Sequence, residues 1–347
     1  MLIVSRWLWA RRSPGARLLR LILIPPAYLY RFLSAARAKA YAVRLLPSEI
    51  PLVPTIAVGN LTVGGSGKTP IATWIAQYYA SRGLRPGIVL RGYGRDEGDV
   101  HRLRTPDAVV VERPDRLVAA REAAEQGARV LVLDDAYQRL DVGRDLNIAV
   151  VSAESSRAVR WTLPAGPWRE GWNALRRADL VIITRKRATR ETAYQVAQRV
   201  HETVPRAPLA LARLGVVGFR GLLSGESIPA HDVGRARLLV SAGIGDPDSF
   251  AAQCRQLGAE VQLLPFPDHH WYGERDILRL RHAARDVDYV VVTEKDAVKL
   301  RHLWPATAPE PLVAQLDVIW ERGRHAVETA LDTAVADVTE LLGPSED

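Results

Sequence analysis

The chain has 347 residues, 48% apolar and 25% charged, with a net charge of +8 and a single cysteine. That composition excludes a disordered polymer and is long enough for two packed domains of ordinary size. Cys254 alone excludes an internal disulfide and fits a reducing compartment; the positive charge suits nucleic acid, an anionic membrane or a phosphorylated substrate and does not choose among them.

The amino-terminal segment, residues 1–46, differs in character from the rest. Through Leu45 it carries nine basic residues (Arg6, Arg11, Arg12, Arg17, Arg20, Arg31, Arg37, Lys39, Arg44) and no acidic one, around the uncharged run Leu21 to Tyr30. That run is short of the roughly 20 apolar residues that span a bilayer, and Pro25-Pro26 interrupts it, so a simple span is not expected. An interfacial anchor is expected instead, with Trp7, Trp9, Tyr28, Tyr30 and the arginines at an anionic headgroup layer. A signal peptide, imitated by Ala38-Lys39-Ala40, and a capping helix are the alternatives.

Short apolar runs then alternate with helical stretches: Thr55 to Val58, Gly87 to Leu90, Val130 to Leu133, Leu146 to Val151 and Leu180 to Thr184. Continuous apolar strands between helices predict a parallel sheet covered on both faces. Residues 205–236, rich in Gly, Pro and Arg, break the rhythm and predict a bridging strand or hairpin. Alternation resumes with Leu238 to Ser241, Val261 to Leu264, Tyr289 to Thr293 and Leu312 to Val318. The expectation is an α/β fold, mainly parallel and two-lobed, with residues 47–204 as the larger domain, 237–347 as a smaller lobe and the site in the cleft between them; the strand–"TVGGSGKT"–helix junction inside 47–204 makes it a P-loop NTPase-like fold with that domain binding the nucleotide.

The stretch "TVGGSGKT" lies between a predicted strand and a predicted helix. Thr62, Val63, Gly64, Gly65, Ser66 and Gly67 offer backbone amides to phosphate, Lys68 reaches the β- and γ-phosphates, and the Thr69 hydroxyl suits Mg²⁺. Thr62 stands where the usual pattern has glycine, which leaves those amides in place. A glycine turn that only packs is the bland reading. ATP is a cytosolic resource, so a nucleotide loop here argues against a cleaved export signal. Val130 to Leu133 run straight into Asp134 and Asp135, carboxylates at a strand end where a phosphate-bridging metal would sit, or else simple turn caps. Further polar groups at strand ends are Arg91, Arg169, Glu170, Asp268, His269, His270, Glu294, Lys295 and Asp296. The carboxyl ends of an open sheet converge on one site, although each of these residues could equally be a turn or a helix cap. His269 and His270 have no partner cluster that would make a zinc site.

In this order, "VGNLTVGGSGKTP" (58–70), "LRGYGR" (90–95), "LDDAYQRL" (133–140), "LPAGPWRE" (163–170), "AGIGDPDSF" (242–250), "FPDHHWYGERD" (266–276) and "TEKDAVKL" (293–300) resemble the blocks of the tetraacyldisaccharide 4'-kinase family. The resemblance implies transfer of the γ-phosphoryl group of ATP, with Mg²⁺, to the 4'-hydroxyl of an acylated glucosamine disaccharide 1-phosphate, giving lipid IVA. It also implies a place on the cytoplasmic face of the inner membrane in a Gram-negative-type bacterium, with no nucleic acid and no obligate protein partner. By motif, Lys68 and Thr69 serve nucleotide and Mg²⁺, Asp134 and Asp135 the metal and its waters, and His269 supports a catalytic carboxylate. The family's "DDGFQH" reads "DDAYQR" here, and its "GDEP" block, whose aspartate is the expected catalytic residue, is matched best by Gly98-Asp99. Asp99 is therefore the expected base, hydrogen-bonded to His269, with Asp96 and Glu97 its neighbours in a loop. A regulatory P-loop NTPase, a switch or a metallochaperone-type GTPase acting on a protein partner, is the other reading; "TEKD" does not match a guanine-reading Asn/Thr-Lys-x-Asp.

Overall fold

The computed structural model describes residues 9, 14–92, 96–157 and 160–336. Arg6, Trp7, Arg11 and Arg12, and the Tyr93–Arg95 part of "RGYGR", lie outside the described residues. In chain order the elements are α1 (Pro14–Ala42), β1 (Thr55–Asn60), α2 (Lys68–Ala80), β2 (Pro86–Leu90), α3 (Asp96–Arg104), β3 (Val109–Glu112), α4 (Arg116–Glu125), β4 (Val130–Asp134), β5 (Leu146–Ser152) and β6 (Leu180–Arg185). They continue with α5 (Arg190–Thr203), β7 (Leu209–Gly221), β8 (Ser227–Pro229), β9 (Arg237–Ala242), α6 (Pro247–Gln256), β10 (Glu260–Pro265), α7 (Glu274–Ala283), β11 (Tyr289–Thr293), α8 (Glu294–Leu300), β12 (Leu312–Arg322) and α9 (Arg324–Ala334).

The strands form one sheet in the order β10-β9-β11-β12-β7-β6-β5-β1-β4-β2-β3, with β8 against β7. Apart from the short β8, which is antiparallel to β7, the neighbours within each half are parallel, as the continuous apolar runs require. The halves join through the long antiparallel pair β7 and β12, whose register shifts twice. The carboxyl ends of β9, β10 and β11 therefore do not share a sheet edge with those of β1, β2 and β4. This corrects the expectation of a single converging edge. The halves meet instead through helices: α3, after β2, packs on α8, after β11.

One face of the first half is closed by α2, where Ile71, Ile75 and Tyr79 bury against Ile56, Val58 and Ile148. The returning α9 adds Val327 and Leu331 to the same core, and the Tyr79 hydroxyl donates to the Leu331 carbonyl at 2.9 Å. On the other face, Ala119, Ala120 and Ala123 of α4 let the helix approach Val89, Leu131 and Leu133 closely.

Pro25 and Pro26 do not interrupt α1, which runs unbroken for 29 residues, about 44 Å. Proline's fixed φ is compatible with a helix, and the helix continues although each proline removes an N–H donor and crowds the carbonyl four residues back. By length and composition this helix could cross a bilayer, and Leu18, Leu21, Ile22, Leu29 and Phe32 are all exposed on it. Among the described residues it meets the domain where the Thr162 hydroxyl donates to the Ala27 carbonyl at 2.9 Å, where Arg37 Nη1 donates to the Gln138 carbonyl at 3.1 Å and where Tyr28 meets Trp161 edge to face.

Candidate active site

The loop between β1 and α2 is held from several sides. Gly64 and Gly67 take φ of 120° and 88°, a left-handed region where a side chain would be strained. A Cβ on Gly67 would also stand 2.2 Å from Leu214 Cδ1. Asn60 Nδ2 donates to Ser66 Oγ at 2.6 Å, and Thr184 Oγ1 donates to the Ser66 carbonyl at 2.6 Å. Thr62, in place of glycine, is buried and forms an antiparallel bridge with Trp168, while Val63 N donates to the Pro167 carbonyl at 2.7 Å. "LPAGPW" is thus the outer wall of the loop, a role its sequence did not declare. Lys68 and Thr69 open α2, where the helix N-terminus and loop amides favour an anion.

Asp134 ends β4, beside β1, and is almost completely buried. Its Oδ2 lies 3.4 Å from His101 Nε2, and its Oδ1 is buried without a hydrogen-bond partner. Burial alone would raise its pKa; the His101 contact, Lys68 and the Thr69 hydroxyl outweigh that and hold the carboxyl below its ordinary range. His101, whose Nδ1 meets Thr73 Oγ1 at 3.1 Å, was not singled out by sequence because a lone histidine has no local signature. The next residue, Asp135, adopts a left-handed φ of 55° and turns away from Asp134. Its two oxygens take a forked pair from Arg169 at 2.7 and 3.1 Å, and Oδ1 lies 3.9 Å from Lys68 Nζ. The close passage of this turn requires Gly59, where a Cβ would stand 2.5 Å from the Tyr137 backbone nitrogen.

Mg²⁺ fits this arrangement in part. Thr69 and the unpartnered Oδ1 of Asp134 are oxygen donors of the kind Mg²⁺ takes alongside phosphate and water. Asp135 is engaged by Arg169 rather than open as a ligand. Among the described residues no group of three or more His, Cys, Asp or Glu side chains forms a metal cage.

Residues 96–99 are not a loop. They form the first turn of α3, where three acidic side chains complement the helix N-terminus. The expected bond between Asp99 and His269 is not formed. His269 Nδ1 pairs with Asp96, 2.9 Å from Oδ2, while Asp99 is exposed and pairs with Arg102 at 2.8 Å. Asp99 lies one helical turn beyond the end of α3 that faces His269. Lys299 of α8 also donates to Asp96 at 3.0 Å. Burial works against the Asp96 charge, but His269, Lys295 and Lys299 bring its pKa down to about 2. The same hydrogen bond raises the pKa of His269 against the effect of its burial. His269 has a left-handed φ of 59°, and like Asp135 it shows the backbone strain that collects at functional sites.

The remaining candidates divide. Lys295 donates to Glu97 at 2.6 Å, and Asp268 lies 4.0 Å from His269 Nε2. Glu170 is bound by Arg177 and Glu294 faces Arg104 at 3.4 Å, burial raising the Glu294 pKa. Asp296 is fully buried and accepts from Gly243 N, Tyr272 Oη and Thr293 Oγ1, which makes it a brace within the second half. Arg91 is exposed after β2, close enough for its charge to be felt at Arg116. Arg116 Nη2 in turn supports the Asp134 carbonyl at 3.1 Å. Beside α1, Arg31, Arg160 and Arg199 line a cavity of about 210 Å³ together with Trp161, Trp168 and Trp172.

A glycine-rich phosphate loop at the head of a helix, a buried carboxylate on the adjacent strand and a second carboxylate–histidine pair across from them define a P-loop phosphotransferase. Residues 19–336 match the family model of tetraacyldisaccharide-1-P 4'-kinase (LpxK), and the chain belongs to that family. The tetraacyldisaccharide 4'-kinase of Geobacter sulfurreducens is 36% identical over 355 aligned positions, covering 90% of this chain and 98% of that one. That of Pelobacter propionicus is 36% identical, covering 89% and 91%. The crystal structure of LpxK from Aquifex aeolicus in complex with ATP superposes with a TM-score of 0.70 at 24% identity, over 91% of this chain and 99% of that one.

Proposed function

We propose that this chain transfers the γ-phosphoryl group of ATP to the 4'-hydroxyl of a tetraacylated glucosamine disaccharide 1-phosphate, giving lipid IVA. The observation that carries the reading is that one helix ties both halves of the chemistry together. His101 on α3 meets Asp134 beside the phosphate loop, and Asp96 at the start of α3 holds His269.

In this reading the loop amides and Lys68 bind and orient the β- and γ-phosphates, and Asp135 and Arg169 position Lys68. Thr69 and Asp134 would hold Mg²⁺, which would supply positive charge to the phosphates. The acceptor hydroxyl gives up its proton to the Asp96–His269 pair, entering through His269 because that ring is part-exposed while the Asp96 side chain is buried. Asp96 orients the ring and stabilises the imidazolium. The pair replaces Asp99 in the role first expected of it.

The exposed apolar side of α1 supports a place on the cytoplasmic face of the inner membrane, where an acylated substrate is found. The arginine-lined cavity under α1 supports a substrate that already carries one phosphate. The regulatory NTPase reading has no comparable support, since relatives matched over about nine-tenths of the chain are named as kinases. ATP turnover with and without the acylated disaccharide in detergent micelles tests the proposal. Lipid-dependent release of ADP with a phosphorylated lipid product is expected; hydrolysis indifferent to the lipid would overturn it.

A further inference from the structure

Lys186 follows β6 directly, and sequence reasoning gave it no role. The backbone N–H groups of Lys186, Arg187 and Ala188 all donate to Glu154 Oε1, at 2.7, 2.8 and 3.0 Å. Burial would raise the Glu154 pKa, but these N–H groups and Ser152 hold it below its ordinary value, so the clamp is ionised. On the other side, Thr184 binds the Ser66 carbonyl and fixes the end of β6 against the phosphate loop. With its backbone held at both points, the Lys186 side chain lies over the loop. Its Nζ is 3.3 Å from where a Cβ of Gly65 would stand.

The ammonium has little to offset its position. Among the described residues Nζ makes no hydrogen bond and no ion pair. Burial depresses its pKa; Asp246 and Glu154 act against that from a distance, while Lys295 and Lys68 add to it. A partly desolvated cation near two other lysines is unfavourable unless an anion joins them. Gly65 has no side chain to come between Nζ and the loop backbone, and the backbone amides of such a loop favour an anion.

We propose that Lys186 is a second phosphate-contacting cation of the nucleotide site, reaching across Gly65 to a nucleoside polyphosphate held by the loop. It acts together with Lys68, whose charge is felt at the Lys186 ammonium, on the same phosphate chain. The inference rests on the nucleotide site proposed above.

The test is calorimetric titration of the full chain in detergent with ATP, ADP and adenosine, for wild type, Lys186→Met, Lys186→Ala and Lys186→Arg. Methionine keeps the apolar stem and removes the charge. Loss of a charge-assisted hydrogen bond predicts that ATP and ADP bind at least about tenfold more weakly to the methionine and alanine variants. Adenosine affinity and the melting temperature of the nucleotide-free protein stay unchanged, and arginine restores most of the loss. A residue that only packs on the loop would not discriminate phosphate from nucleoside. ATP affinity within about threefold of wild type in Lys186→Met, or an equal loss for adenosine, overturns the inference while leaving the kinase reading standing. A wild-type chain that binds no ATP overturns the kinase reading and the inference together.

Discussion

Asp96 Oδ2 and His269 Nδ1 lie 2.9 Å apart although 173 positions separate them in the chain. Lys299, from α8, closes the same carboxylate from another side. If this pair receives the proton of the acceptor hydroxyl, Asp96→Asn and His269→Ala lower lipid phosphorylation by about 10²- to 10⁴-fold while ATP still binds. Asp99→Asn, which breaks only an exposed pair with Arg102, stays within about twofold. Assaying lipid phosphorylation and ATP affinity for the three variants decides the point; a silent Asp96→Asn beside an inactive Asp99→Asn would reverse the assignment.

The shifted pKa values set a pH signature. The Asp96 hydrogen bond raises His269 above its usual 6.5, so proton acceptance by a neutral ring places the acid limb of kcat above pH 6.5. In Asp96→Asn the residual activity should show that limb moved down. A pH–rate profile whose acid limb does not move between the two proteins would remove His269 from the role.

Stability follows the same pair with its own signs. Asp96, at about 2 against an ordinary 3.8, favours the fold above pH 3.8 by about 2 kcal/mol, and that contribution is lost as the pH falls toward 2. His269, raised, favours the fold most below 6.5 and loses its contribution as the pH rises through its folded pKa. Melting temperatures of wild type and Asp96→Asn should therefore differ most between about pH 4 and 6.5 and converge in stronger acid. A difference that does not change with pH would show that packing, not charge, is lost.

Lys68→Ala should reduce phosphoryl transfer by at least about 10²-fold, because the ammonium stabilises charge that develops in the transition state. The fold should be nearly indifferent, since among the described residues the carboxylate nearest Nζ is Asp135 at 3.9 Å, itself held by Arg169. Circular dichroism melts and lipid kinase assays on one preparation separate the two effects, and near-normal turnover would disprove the phosphate-loop role.

Leu21, Ile22 and Phe32 are each more than 60% exposed on α1, so glutamate at these positions should leave the domain folded. It should also release the protein from anionic vesicles, through lost apolar burial and added negative charge. Sedimentation with vesicles at two salt concentrations reads this directly; undiminished binding by the triple variant would exclude α1 as the anchor.

What the sequence determined by itself is local. "TVGGSGKT" between a strand and a helix places phosphate amides, Lys68 and Thr69 within eight consecutive residues, and the apolar run of β4 delivers Asp134 to the end of a buried strand. The ordered blocks of the chain also carried the family, because contiguous motifs need no knowledge of how distant parts meet. Tertiary structure decided what depends on distant contact. The halves run in opposite directions across β7 and β12, so the second half reaches the site through α8 and the turn at His269 rather than through a shared sheet edge. Asp96 and Asp99 sit in one acidic run, but a helix advances about 4.5 Å over three residues, and only the first stands where His269 and Lys299 arrive. His101 beneath Asp134 and Lys186 over Gly65 have no pattern of their own. Each gains its place from strands whose order in the sheet differs from their order in the chain.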